Sequence, residues 1–158
     1  MNIQKFPALV LLLLPACVFA QTAAEMDLLL QSETVSAAKS ARFVMGAADL
    51  LPAELHGAAA EMAAYEMALS KGWIRAAAEE DFTMKDTAFL VMKAFDLKGG
   101  IMYSLFRNPR YAYREMIYRN LITGPMNGTM KVSGSALLVI LDKTIHCADE
   151  AAAGRELR

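Results

Sequence analysis

The stretch "GGIMYSLFRNPRYAYREMIYRN" at residues 99–120 concentrates the side chains best suited to gripping a ligand. Tyr103, Phe106, Tyr111, Tyr113 and Tyr118 lie among Arg107, Arg110, Arg114 and Arg119. A guanidinium holds an anion through paired hydrogen bonds, and an aromatic face stacks on a sugar or a cation, so this mixture suits an anionic or saccharide ligand. Asn108 followed by Pro109 reads as a helix cap and first helical position. Counted from there, Arg110 and Arg114 stand one turn apart, and Tyr111, Arg114 and Tyr118 share a neighbouring stripe. Gly99 and Gly100 would let the preceding loop pass close to that surface. The sequence therefore nominates Tyr103, Arg107, Arg110, Tyr111, Arg114 and Tyr118 as ligand-binding residues. Trp73, directly after Gly72, is a further stacking candidate. A competing reading makes Tyr113, Ile117 and Trp73 core, leaves Tyr111 and Tyr118 half-buried, and pairs the arginines with Glu115 on a solvated face.

Other chemistry is poorly represented. His56 and His146 fall in separate helices with no second His or Cys at ligand spacing, which argues against a metal site. The acidic run Glu79–Glu80–Asp81 leads into a helix N-terminus, where negative charge is favourable, so it does not read as a catalytic pair. No glycine-rich phosphate loop is present, and Ser, Cys and His occur without motif context. The sequence predicts no enzyme and no cofactor. One charge separates 16 basic from 17 acidic residues, which argues against nucleic acid as a partner.

The front of the chain has its own character. "MNIQKFPALVLLLLPACVFA" (1–20) has Lys5, an apolar run from Phe6 to Leu14, and a small-residue exit before Gln21. This is the pattern of a secretory signal, its apolar core too short to span a bilayer. The alternative is a lipoprotein signal over residues 1–16, since "LPAC" resembles a lipobox and would make Cys17 the lipidated first residue. Either reading expects an exported protein, periplasmic or associated with the cell envelope, with residues 21–158 as one domain. Cleavage after Ala20 leaves Cys147 as a single thiol, read as a small buried residue near a helix end.

That domain is rich in Ala, Leu and Met, with almost no alternating β-branched runs, so it should be all-α. Breakers and caps put helices near 23–31, 36–49, 53–71, 84–96, 109–120 and 134–150. Pro52 is read as a helix start, Gly99–Gly100 as a helix end, and "TGPMNG" (123–128) as a turn. Thr83 reads as a cap with Asp86 reaching back. "SARFVM" (40–45), "TAFLVM" (87–92) and "SALLVI" (135–140) begin 47 and 48 residues apart and present the same face. An ungapped shift of 48 residues also pairs "AYEMALSKGWI" (64–74) with "AYREMIYRNLI" (112–122). The expectation is about three helix–loop–helix repeats, the phrase forming the inward face of each.

The repeated unit resembles the S-layer homology module. "SKGWI" (70–74) matches that family's helix end, and "DFTMKDTAFLVMKAF" (81–95) matches its second-helix opening, with Phe82, Thr83, Asp86 and Ala88 at the motif positions. The constant spacing puts Met130, Lys131, Gly134 and Ala136 there in the later copy, and Val35, Ser36, Lys39 and Ala41 in the first. Such modules commonly occur in threes and anchor proteins to envelope glycopolymers, so the resemblance implies a helical scaffold with an envelope polymer as ligand. The family's ligand-holding Arg is replaced by Met84, Val132 and Ala37, so that residue role does not carry over.

The resulting expectation is a non-catalytic, envelope-associated binding module whose partner is an envelope glycopolymer or an envelope protein. The alternatives are a periplasmic protein-binding adaptor without glycan affinity and a small lipid-binding protein.

Overall fold

The computed structural model describes residues 23–52, 54–124 and 127–156. The leader and Cys17 readings lie outside these residues. Within them the chain is all-α, with seven helices and no strand. These are α1 (23–30), α2 (Ala37–Ala47), α3 (Gly57–Ser70), α4 (Met84–Ala94), α5 (Ile101–Phe106), α6 (Pro109–Tyr118) and α7 (Gly134–Glu156). None is long and apolar enough to cross a membrane.

Short polar side chains begin several of these helices, at Thr83 and Asn108 as the sequence suggests and at Ser36 besides. The Ser36 hydroxyl accepts from Lys39 N–H at 3.3 Å, and the Asn108 side chain accepts from Tyr111 N–H at 3.1 Å. Each satisfies one donor that the first helical turn leaves open. Thr83 accepts from Asp86 N–H at 3.4 Å, and the Asp86 carboxylate reaches back to the Thr83 hydroxyl.

The helix ends share one device. Asp49, Gly72, Asp96 and Asn120 adopt φ of 54°, 68°, 47° and 58° directly after the caps of α2, α3, α4 and α6. The next residue, Leu50, Trp73, Leu97 or Leu121, donates its N–H back to Met45, Ala68, Met92 or Met116 at 2.8–2.9 Å. This is a Schellman closure with an apolar residue after the left-handed one. Gly72 bears no such strain, and nothing lies within 4 Å of a Cβ built there. Gly72→Ala should therefore lower stability by about 1 kcal/mol through backbone strain alone, read from the urea midpoint.

The core gathers where three segments meet. Val35 donates to the Val132 carbonyl at 3.0 Å, Val132 to the Phe82 carbonyl at 2.9 Å, and Phe82 to the Val35 carbonyl at 2.8 Å. The three bonds close a ring, and all three residues are at most 1% exposed. Buried backbone groups must find partners, and this exchange satisfies one donor and one acceptor on each segment. Ser36, Thr83 and Ser133 follow the ring residues and open α2, α4 and α7. The first N–H groups of those helices then donate in cyclic order. Ala37 and Ala38 bond the Glu80 and Ala78 carbonyls, Met84 and Lys85 bond Met130 and Gly128, and Gly134 bonds Ser32.

Four expectations need correction. First, α7 starts at Gly134 as expected, but its inward face is not the one the constant 48-residue shift implies, because Ser133 and not Lys131 stands where Thr83 does. The inward residues are consequently Leu137, Ile140 and Leu141, while Val139 of the repeated phrase is 50% exposed. Second, α3 begins at Gly57 after His56, which makes no side-chain cap bond, and not near Pro52. Third, α4 closes at Asp96, and Gly100 instead opens α5, which the sequence reading left as loop. A six-residue helix whose apolar side chains face outward gives no periodic signal. Fourth, α7 runs on to Glu156, so Cys147 is half-buried well inside a helix.

Candidate functional site

Helix α6 carries the groove the sequence pointed to. Its Asn108 cap and Pro109 fix the start, so Arg110, Tyr113, Arg114, Ile117 and Tyr118 follow one another up one side. Opposite stand Lys85, in the first turn of α4, and the turn at Gly128–Thr129. Together these eight residues line a groove of about 760 Å³. The turn is held by Asn127, whose side chain accepts from Thr129 N–H at 3.1 Å and from its hydroxyl at 2.7 Å. Gly128 is closely approached by its neighbours. A Cβ there would lie 3.1 Å from the Tyr113 ring and 3.3 Å from Lys85 Cβ.

The groove's charge is one-sided. Lys85, Arg110 and Arg114 line it, and among the described residues no carboxylate does. The two acids adjacent in sequence are engaged elsewhere: Asp86 accepts from the Thr83 hydroxyl, and Glu115 pairs with Arg119 at 2.9 Å and accepts from Gly100 N–H at 2.9 Å. Among the described residues, Lys85, Arg110 and Arg114 make no ion pair. Three cations around a partly apolar trough, unmatched by acid, form a local positive field in a chain of net charge −1. Tyr113 is buried against the floor, and burial raises its phenol pKa above the ordinary value. Tyr118 stands at the rim, 84% exposed. The ring exposed at the rim and the two arginines within reach of one ligand are the parts needed to stack and to grip.

The nominated residues are thus divided. Arg110, Arg114 and Tyr118 come together in this groove. Tyr103 and Arg107 line a separate cleft of about 290 Å³ with Lys93, Asp96 and Lys98. There Tyr103 is buried and its pKa raised, chiefly by burial, with Arg107 opposing and Asp96 adding. Tyr111 stacks on Phe106 with ring centroids 5.4 Å apart. Trp73 sits half-buried as the apolar residue closing α3, with the Lys71 ammonium 5.2 Å from its ring centre. It lines a third cleft together with Lys85 and Pro109. The competing reading is right about Tyr113, Ile117 and Tyr111. It is wrong about Tyr118, which is exposed, and right about Glu115 for one arginine only, Arg119.

No family model, curated protein or solved structure matches this chain. The chemistry must therefore be read from the groove itself. Sequence reasoning missed Lys85, Gly128 and Thr129 there. Lys85 had a usable signal, since it lies one position after Met84, where the S-layer homology motif carries its Arg. Gly128 and Thr129 had none beyond belonging to a turn cluster. Among the described residues no cluster of three or more His, Cys, Asp or Glu is placed to hold a metal ion. His146 is exposed and 3.8 Å from Asp142 one turn earlier.

Proposed function

We propose that this chain is an exported, non-catalytic binding module that holds an acidic envelope polymer along the α6 groove. The single observation that carries the reading is the groove itself, where Lys85, Arg110 and Arg114 have no acidic partner among the described residues and stand beside Tyr113 and Tyr118. Exposed guanidinium groups one turn apart offer bidentate bonds to carboxylate or phosphate groups repeated along a polymer.

The scaffold supports the same reading. We take α1–α2, α3–α4 and α6–α7 as three helix pairs related by the cyclic exchange at Val35, Phe82 and Val132. On that correspondence, Met84 matches Ala37 and Gly134, and Val132 matches Phe82. The S-layer homology module that the sequence resembles presents its ligand between successive repeats. The α6 groove likewise lies between α4 of the second pair and the opening helix of the third. Its cation at the α4 start is Lys85, one residue beyond the family's Arg position. Export rests on the leader-like residues 1–20.

Co-sedimentation with cell-wall sacculi, prepared with and without their attached acidic polymers, tests the reading. The protein should pellet with polymer-bearing sacculi and stay in solution when the polymer is stripped. Retention on stripped sacculi alone would point to the peptidoglycan or a protein contaminant and sink the acidic-polymer claim.

A further inference from the structure

We infer that α5 is a membrane-contact element that seats on an anionic lipid surface. Its four large apolar side chains turn outward: Ile101 is 86% exposed, Leu105 70%, Phe106 52% and Met102 50%. Positions 101, 102, 105 and 106 fall on one face of a helix, so these side chains form a single apolar ridge. Burying none of them, a helix of six residues has little intrinsic reason to persist. It is held from behind. Tyr103 turns inward and is buried, the Glu115 carboxylate accepts from Gly100 N–H, and Arg119 joins Glu115 to the Lys98 carbonyl. A ridge braced so that its apolar face points away from the core is built to meet something outside.

Charge decides what it meets. Residues 97–114 contain Lys98, Arg107, Arg110 and Arg114 and no acid, although the whole chain has net charge −1. Lys98 and Arg107 bracket the ridge at its two ends and are both exposed. Asp96 precedes the stretch, but it lines a cleft together with Lys93, Lys98 and Arg107, where cations outnumber it. Apolar side chains flanked by lysine and arginine are the arrangement that inserts into the headgroup boundary, the apolar part shallowly buried and the cations on lipid phosphates. A purely apolar partner would leave that bracketing charge without a counterpart. The ridge and its bracketing cations Lys98 and Arg107 lie outside the groove lining, which takes only Arg110 and Arg114 of the cations in this basic stretch.

Vesicle flotation tests it on the full chain, with vesicles of phosphatidylcholine alone and of phosphatidylcholine mixed with phosphatidylglycerol. The protein should float with the anionic vesicles, far less with the neutral ones, and less as salt is raised. Ile101→Ser/Leu105→Ser should lower the partition roughly tenfold or more, and Lys98→Gln/Arg107→Gln should lower it on anionic vesicles selectively. All four positions are exposed, so helicity and thermal midpoint should stay at the parent's values. Comparing variants within one chain cancels any pull from the apolar run at residues 6–14. Three results would overturn the inference: no uptake by anionic vesicles, uptake undiminished by the serine variant, or self-association of the parent that the serine variant abolishes while vesicles remain empty. A protein that binds acidic polymer but no vesicle refutes this contact and leaves the groove reading standing.

Discussion

Gly134→Ala should lower the stability of this protein by about 3 kcal/mol or more, one of the largest effects available from adding a single carbon. A Cβ at position 134 would fall 1.6 Å from the Leu29 carbonyl oxygen and 2.5 Å from its carbon. The obstacle is backbone, so no rotamer change relieves it, and α1 or α7 must move bodily. Moving either one also strains the Gly134 N–H to Ser32 carbonyl bond, 3.0 Å, that ties the first turn of α7 to the end of α1. The equivalent helix-opening positions Ala37 and Met84 already carry side chains, so the demand for glycine is particular to this contact. The thermal midpoint should drop by about 10 °C or more. A variant within about 1 kcal/mol of the parent would mean that α1 does not pack there as tightly as described.

Phe82→Ala should be comparably severe, at about 3–5 kcal/mol. Phe82 is 1% exposed and among the largest fully buried side chains, in the same core cluster as Val35 and Val132. Its backbone N–H and C=O both belong to the three-membered ring, and substitution leaves them intact. The loss should therefore come from the cavity, with the surrounding helices too well braced to collapse into it. Phe82→Leu, which nearly fills the space, should lose less than about 1.5 kcal/mol. Equal losses from both substitutions would place the effect in the backbone ring and contradict this account. Since domains of this size are stable by only about 5–15 kcal/mol, the alanine variant should be strongly depleted in cells.

How much of this was legible in the sequence depended on how local the cause was. Ser36, Thr83 and Asn108 act on N–H groups three residues away, so each could be read from its own neighbourhood. The all-α character was readable for the same reason. The endings of α2, α4 and α6 were equally local, and the expected bounds at 49, 96 and 120 fall on them, but the shared closing device was not read: "MGAADL", "MKAFDL" and "MIYRNL" each place Met four residues ahead of a left-handed Asp or Asn followed by Leu. Gly99–Gly100 drew attention instead, because glycine is the commoner terminator. The inward face of α7, whose start at 134 was read correctly, was not local. Shifting by a constant 48 residues preserves the phrase, yet burial follows Ser133, which is set by pairing of Val132 with Phe82 across the ring.

The groove was half legible. Arg110, Arg114 and Tyr118 share a helix, so their proximity follows from helical spacing alone. Lys85, Gly128 and Thr129 arrive from two other segments, through the bond from Lys85 N–H to the Gly128 carbonyl at 2.9 Å. Tyr103 and Arg107 were grouped with α6 because they are near in sequence, but α5 intervenes and turns them into another cleft. Release of Arg110 and Arg114 from Glu115 was likewise invisible, since it depends on Arg119 and on the Gly100 N–H taking that carboxylate.

The most direct test of the central claim is calorimetric titration of a purified, soluble acidic wall polymer into the parent protein and into Arg110→Ala/Arg114→Ala. The parent should bind, more weakly as salt is raised, and the double variant should lose roughly tenfold or more in affinity while keeping its thermal midpoint. Equal binding by parent and variant, or no binding by the parent at low salt, would contradict the assignment of the α6 groove.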